Sequence, residues 1–240
     1  MHPVPAYVSQ QEFKEKVDAL VDSLLALPVC ERNFINFDIL LPNNLLAADM
    51  KPSGTSGQPP PGVWFKFECE TEDHLTEILR DEQVKKVIAG AKDFGFHDNA
   101  SLFTADVTTR VDVVSPSPKA RFHASFVAKI PKDISVDEFH AKLEAAVDSF
   151  VELPVCQNNI LKHTYLRQNM NIADETRALD YPDAEQIVVL LHEHGTWDDL
   201  IKITQDAAYR KLMAEQVHKA LPGTEMWGFS LDVVTKISTS

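Results

Sequence analysis

Two short runs of side chains have the types and spacing for proton transfer. His163, Tyr165 and Arg167 stand at alternate positions, and His192 and His194 flank Glu193. Alternate residues of an extended strand project to one face, so each run presents its groups together. Imidazole titrates near neutrality, and a phenol beside it can donate to a developing oxyanion. In this reading His163 is a base, Tyr165 a donor, and His192 or His194 a second acid/base group. The planar fork of Arg167 suits an anionic substituent on a substrate. The His192/His194 pair is also the beginning of a metal site, with His163 or Glu193 as a further ligand. No HExxH accompanies it, and no third ligand stands at a telling distance, so metal contact, acid/base work and a solvated strand end all stay open. Trp197 and Trp227 are candidate ligand contacts, against the plainer reading of core aromatics.

These groups sit in a chain that is written twice. Phe13 to Asn33 reads FKEKVDALVDSLLALPVCERN, and Phe139 to Asn159 reads FHAKLEAAVDSFVELPVCQNN; 11 of the 21 positions agree at an offset of 126. The same offset aligns the segment from Phe103 with the segment from Phe229. The repeat predicts a tandem duplication, with units 1–115 and 116–240 joined near Ser115-Pro116-Ser117-Pro118.

Within each unit the hydrophobic period alternates. Phe13, Val17, Leu20, Val21 and Leu24 form a helical stripe, repeated by Phe139, Leu143, Ala146, Val147 and Phe150. Ser9 with Glu12 and Ser135 with Glu138 form capping boxes, and Pro28 and Pro154 stop the helices. Period-2 segments follow at Asn33–Leu41 and Ile160–Arg167, then short strands at Val63–Phe67 and Ile187–Leu191. Second helices are expected near Glu72–Ala89 and Trp197–Leu221, and last strands from Phe103 and Phe229. A first strand precedes the helix at Phe122–Ile130; in unit one only Pro3–Val8 is left for it. The order β-α-β-β-α-β, twice, is the split βαβ unit, a sheet with two helices on one face. Its bare sheet face needs a cover, which predicts two sheets packed together with helices outside.

The units differ where chemistry is at stake. Ile35, Phe37, Ile39 and Leu41 of unit one become Leu161, His163, Tyr165 and Arg167 in unit two, while Glu68 and Glu70 are read as standing where the His192/His194 pair falls. A face kept greasy in one copy gains polar groups in the other. Unpartnered when buried, each costs about 1–3 kcal/mol, so the change calls for a reason.

Composition narrows the partners. Thirty-six acids against 23 Lys plus Arg give a formal charge of −13, which disfavours nucleic acid and anionic membrane. No apolar run approaches the ~20 residues of a membrane span, and the N-terminus carries no secretory pattern. Cys30, Cys69 and Cys156 suit neither a disulfide framework nor a CxxC site, so a reduced cytoplasmic protein with free thiols is expected. The Gly54/Gly57 stretch lacks the GK[ST] ending of a phosphate cradle, and the Pro42–Gly62 loop reads as a lid or spacer.

Element order and repetition together resemble the dimeric α+β barrel superfamily, including EthD-like and stress-responsive A/B barrel proteins, with the dimer fused into one chain. The resemblance spans nearly all of the chain but carries no diagnostic motif. It implies an α+β fold and a small hydrophobic, aromatic or polyketide-like ligand in an apolar cavity. It also implies a pseudo-dimer that needs no second chain. Three functions stay open: a cofactor-independent cyclase, isomerase, lyase or oxygenase; a ligand-binding or stress-related protein without chemistry; and haem or metal binding through the histidines. A fold does not choose among them.

Overall fold

The structure, a computed structural model, describes residues 1–46, 61–113 and 121–238. The expected join at Ser115–Pro118 and most of the Pro42–Gly62 loop lie outside the described residues. The first half runs β1 (His2–Pro3), α1 (Gln10–Leu25), α2 (Pro28–Asn33), β2 (Phe34–Asn43), β3 (Gly62–Cys69), α3 (Glu72–Arg80), α4 (Glu82–Gly90) and β4 (Thr104–Asp112). The second half continues with β5 (Phe122–Lys129), α5 (Val136–Val151), α6 (Pro154–Asn159), β6 (Lys162–Asn169) and α7 (Ala173–Ala178). It ends with β7 (Ile187–His194), α8 (Trp197–Gln205), α9 (Ala207–Leu212), a π-helical turn (Met213–His218) and β8 (Glu225–Ser238).

Local signals set these elements. The Ser9 and Ser135 hydroxyls each accept from the backbone N–H three residues on, at 3.2 Å. Both stripes are buried, with Phe13 and Phe139 at 0% exposure. Pro28 and Pro154 end the long helices by opening short ones, where proline's missing N–H costs nothing. The second helices are not continuous as expected. Asp81 and Asp206 leave the helical region at ψ 130 and 136, and each carboxylate caps a new helix by accepting two backbone N–H groups. Asp favours such a cap over a helix interior because its side chain competes for backbone donors.

The strands form one antiparallel sheet rather than two stacked ones, in the order β1-β3-β2-β8-β5-β7-β6-β4. The last strand of each half crosses over: β8 pairs with β2, and β4 with β6. Edge strands that would stand unpaired in a lone unit are thereby satisfied. Met1 and Ser101 exchange backbone hydrogen bonds at 2.8 and 2.9 Å, tying the start of β1 to the segment leading into β4 and curling the sheet towards closure. The helices cover one face. The other carries a cluster drawn from both halves, including Leu40, Trp64, Val127, Val189, Phe229 and Leu231, with no helical residue among its members.

The crossovers carry matching clamps. The β8–β2 register slips between Thr235 and Ile237, and the β4–β6 register between Thr109 and Val111. The skipped residues, Lys236 and Arg110, reach the long helix of the opposite half. Lys236 Nζ lies 2.8 Å from both Asp18 and Asp22, and Arg110 lies 3.5 and 3.4 Å from Glu144 and Asp148. The β-connections cross over as well. Ile172, Leu179 and Tyr181 of the second half join the core of the first, and Leu46 of the first packs on Ala124, Phe126 and Leu200.

Candidate functional site

Cross-strand pairing fixes how the halves correspond at the site. Phe37 pairs with Phe67 in the first half, and His163 with His192 in the second. His192 therefore answers Phe67, and His194 answers Cys69, an offset of 125. The sequence reading set Glu68 and Glu70 opposite the pair. That is corrected here, since a one-residue slip moves a side chain to the other face of a strand.

His163, Tyr165, His192 and His194 all face the helices and are buried, at 0, 2, 4 and 0% exposure. A solvated strand end is excluded for the pair. His163 meets His192 edge-on, ring centroids 4.6 Å apart, and His194 stacks on His192 at 6.1 Å. His194 Nδ1 donates to the Asn159 carbonyl at 2.8 Å, which leaves its Nε2 as a lone pair. Among the described residues both ring nitrogens of His163, and Nε2 of His192 and His194, have no partner. Burial pulls the pKa of all three below 6.5, His163 to about 4, so at neutral pH they are uncharged imidazoles.

Tyr165 does not partner His163. Its hydroxyl and His140 Nδ1 lie 2.7 Å apart, His140 being a buried residue of α5 that the sequence reading did not single out. The residue 126 positions earlier is Lys14, and comparing the two halves shows the change. Arg167 lies on the same strand face but near its end, ion-paired at 3.0 Å with the exposed Asp137. Trp197 packs at the start of α8 beside Phe126 and Leu200. Trp227 belongs to the helix-free face of the sheet, across it from the histidines.

A cavity lies between sheet and helices in the second half, lined by Phe126, Leu143, Ala146, Val147, Phe150, Leu190, His192, Leu200, Ile203, Thr204, Tyr209, Leu212, Met213, Val217 and Met226. Its volume is about 50 Å³. That is room for a few waters, and a one-ring molecule enters only if the side chains around it give way. At several of these positions the first half carries larger groups. Leu20 stands for Ala146, Phe65 for Leu190 and Leu79 for Thr204, and Phe34, Phe37 and Phe67 pack ring to ring at 5.4–5.8 Å. His192 is the only one of the three histidines on the cavity wall. His163 stands behind it, and Phe150 touches both, at 5.8 and 5.5 Å between centroids.

Among the described residues no group of three or more His, Cys, Asp or Glu is arranged to hold a metal ion. No helix is long and apolar enough to cross a membrane, again among the described residues.

No family model and no curated protein matches the chain. Among solved structures it is similar to a protein of Fusobacterium nucleatum subsp. nucleatum described as a "putative monooxygenase", with 10% identity and a TM-score of 0.53 over 96% of this chain and 91% of that one. A protein of Lactobacillus acidophilus with the same description aligns at 8% identity and a TM-score of 0.47, over 95% and 90% of the two chains. At 10% identity the first likeness concerns architecture alone. With the crossed strands and the single curled sheet, it establishes the dimeric α+β barrel as the fold of this chain.

Proposed function

We propose that the chain takes one small, uncharged, apolar or aromatic molecule into the cavity of its second half. There His192 meets it in cofactor-independent acid/base chemistry of the cyclase, isomerase, lyase or oxygenase type. The observation that supports this is a buried imidazole with an unpartnered nitrogen, on a largely apolar wall, at the position where the first half places Phe67. A neutral imidazole in that setting accepts a proton from a bound C–H or O–H, and negative charge developing beside it raises its basicity. His163 packs against its ring and holds its orientation. The monooxygenase description of the Fusobacterium protein is compatible with this class of chemistry. The same reading takes the halves, 1–115 and 116–240, as a fused duplication in which one cavity closed and the other stayed open. The EthD-like and A/B barrel resemblance belongs to it too.

One observation favours a second reading, binding without turnover: burial leaves all three imidazoles weak as bases. The test begins with stoichiometry. NMR titration with one-ring aromatic probes should give one site per chain, with ring-current shifts on the His192 ring protons. Ala146→Phe, which fills the cavity, should abolish it. Binding that survives Ala146→Phe, or two equal sites, would refute the cavity as the site. Exchange of a bound ketone's α-protons with solvent, lost in His192→Phe, would separate enzyme from binder.

A further inference from the structure

We propose that Tyr209 is the second polar group of the site, its hydroxyl donating a hydrogen bond to an acceptor oxygen on the bound molecule. This rests on the cavity reading above and narrows it. The ligand is an uncharged, largely apolar compound with an acceptor such as a ketone or ester carbonyl.

The corresponding position in the first half has no such group. Asp81 accepts from the N–H of Val84 at 3.1 Å, and Asp206 accepts from the N–H of Tyr209 at 3.0 Å, so the two residues hold the same place in the first turn of their helices. Val84 is sealed in the first half's core. Tyr209 lines the cavity at 3% exposure, and its ring meets Phe150 at 5.9 Å, on which His192 also packs at 5.5 Å. No hydrogen bond to another described residue occupies its hydroxyl, so the phenol can donate to a bound molecule. Burial, reinforced by Cys156, raises its pKa, so the phenol keeps its proton and stays a donor. The other polar side chain on the wall, Thr204, already donates to the Ile201 carbonyl at 3.0 Å. No cation lines the cavity to neutralise a carboxylate. An anion there would be buried unpaired.

Acetophenone and α-methylstyrene test this, since they differ by C=O against C=CH2 at nearly constant shape. By NMR titration the wild-type chain should bind acetophenone about fivefold more tightly, the gain from one net hydrogen bond. Tyr209→Phe should bring the two affinities together while leaving that of α-methylstyrene unchanged. It should also keep the wild-type Tm, because the hydroxyl has no protein partner to lose. A preference that persists in Tyr209→Phe, no preference in the wild type, or a Tm lowered by several degrees would each overturn the role of Tyr209. If neither probe binds the wild type, the cavity reading itself fails. Tyr209→Leu, nearer to the Val84 of the first half, serves as a second variant and should lose the same preference.

Discussion

Burial of uncharged imidazoles makes a quantitative demand on stability against pH, and His163 isolates it. Its pKa in the folded chain lies at about 4, against an ordinary 6.5, because burial disfavours the charged ring. A base whose pKa falls on folding binds more protons unfolded than folded between those two values. Stability is therefore intact above pH 6.5 and drains away as the pH drops towards 4. At pH 5 the unfolded ring is almost wholly protonated and the folded ring is about one-tenth so, a difference of about 2 kcal/mol. The complete loss, reached below pH 4, is about 3 kcal/mol at ~1.4 kcal/mol per pKa unit.

The informative variant is His163→Phe, which installs the residue of the first half at Phe37. Urea unfolding at pH 7.5 and pH 5 measures ΔG for both proteins. The wild type should lose about 2 kcal/mol more than the variant over that interval, and at pH 7.5 the variant should match or exceed the wild type, since two unpartnered nitrogens are removed. His192 and His194 remain in both proteins, so their titration largely cancels in the comparison. Parallel pH profiles would refute the claim that His163 is held neutral by burial. A variant several kcal/mol less stable at pH 7.5 would show the imidazole to be a packing or hydrogen-bonding element.

Three further outcomes are expected. Tyr165→Phe strands His140 Nδ1 in the core and should cost about 1–3 kcal/mol in chemical denaturation, whereas a change within error would mean that the pair is not formed in solution. Ile172→Ala, at a 1% exposed site where the second half reaches into the core of the first, should cost about 2–4 kcal/mol, and a loss below about 1 kcal/mol would count against that crossing. Burial pushes the thiols of Cys30 and Cys156 up to about 12 and that of Cys69 to about 11; only Cys69 is part-exposed, so a thiol reagent at pH 8 should modify Cys69 first and the others only on unfolding.

Much of this architecture could be read from local signals. The helix stripes, the Ser9 and Ser135 caps, the short first strand and the α+β class all follow from spacing and turn chemistry within about twenty residues. The reading that His163 and Tyr165 lie on the helix-facing side came from Phe37 and Ile39 in the first half. What stayed hidden depends on distant partners. No periodicity says that β8 leaves its own unit to pair with β2, because an edge strand has the same pattern whichever strand completes it. The offset is 126 at the long helix and 125 at β7; aligning Val63 with Ile187 took it as 124 and set Glu68 and Glu70 against residues that answer Phe67 and Cys69. His140, Ala146 and Tyr209 escaped notice because a helical stripe reports only that a residue is buried. Whether it meets a hydroxyl, a gap or a ligand is decided by the facing strand.

The two clamps suggest why the second half tolerates so many unpartnered polar atoms. Lys236 and Arg110 sit at equivalent bulges, and each holds the long helix of the other half by two carboxylates. A bulge aims one strand residue out of the ladder, and here it aims a cation across the seam between halves. Part-exposed ion pairs are individually weak, but these come with two crossed strands and two crossed connections. The second half is therefore not held in shape by its own core alone. It is backed by a first half in which the place of the cavity is packed with phenylalanine, and crossed elements transmit that support. Positions that a free-standing unit would need for packing, such as those of Phe37, Phe67 and Leu20, become available for His163, His192 and Ala146. The crossed elements thus allow one half to serve as scaffold while the other carries a cavity beside an imidazole with an unpartnered nitrogen.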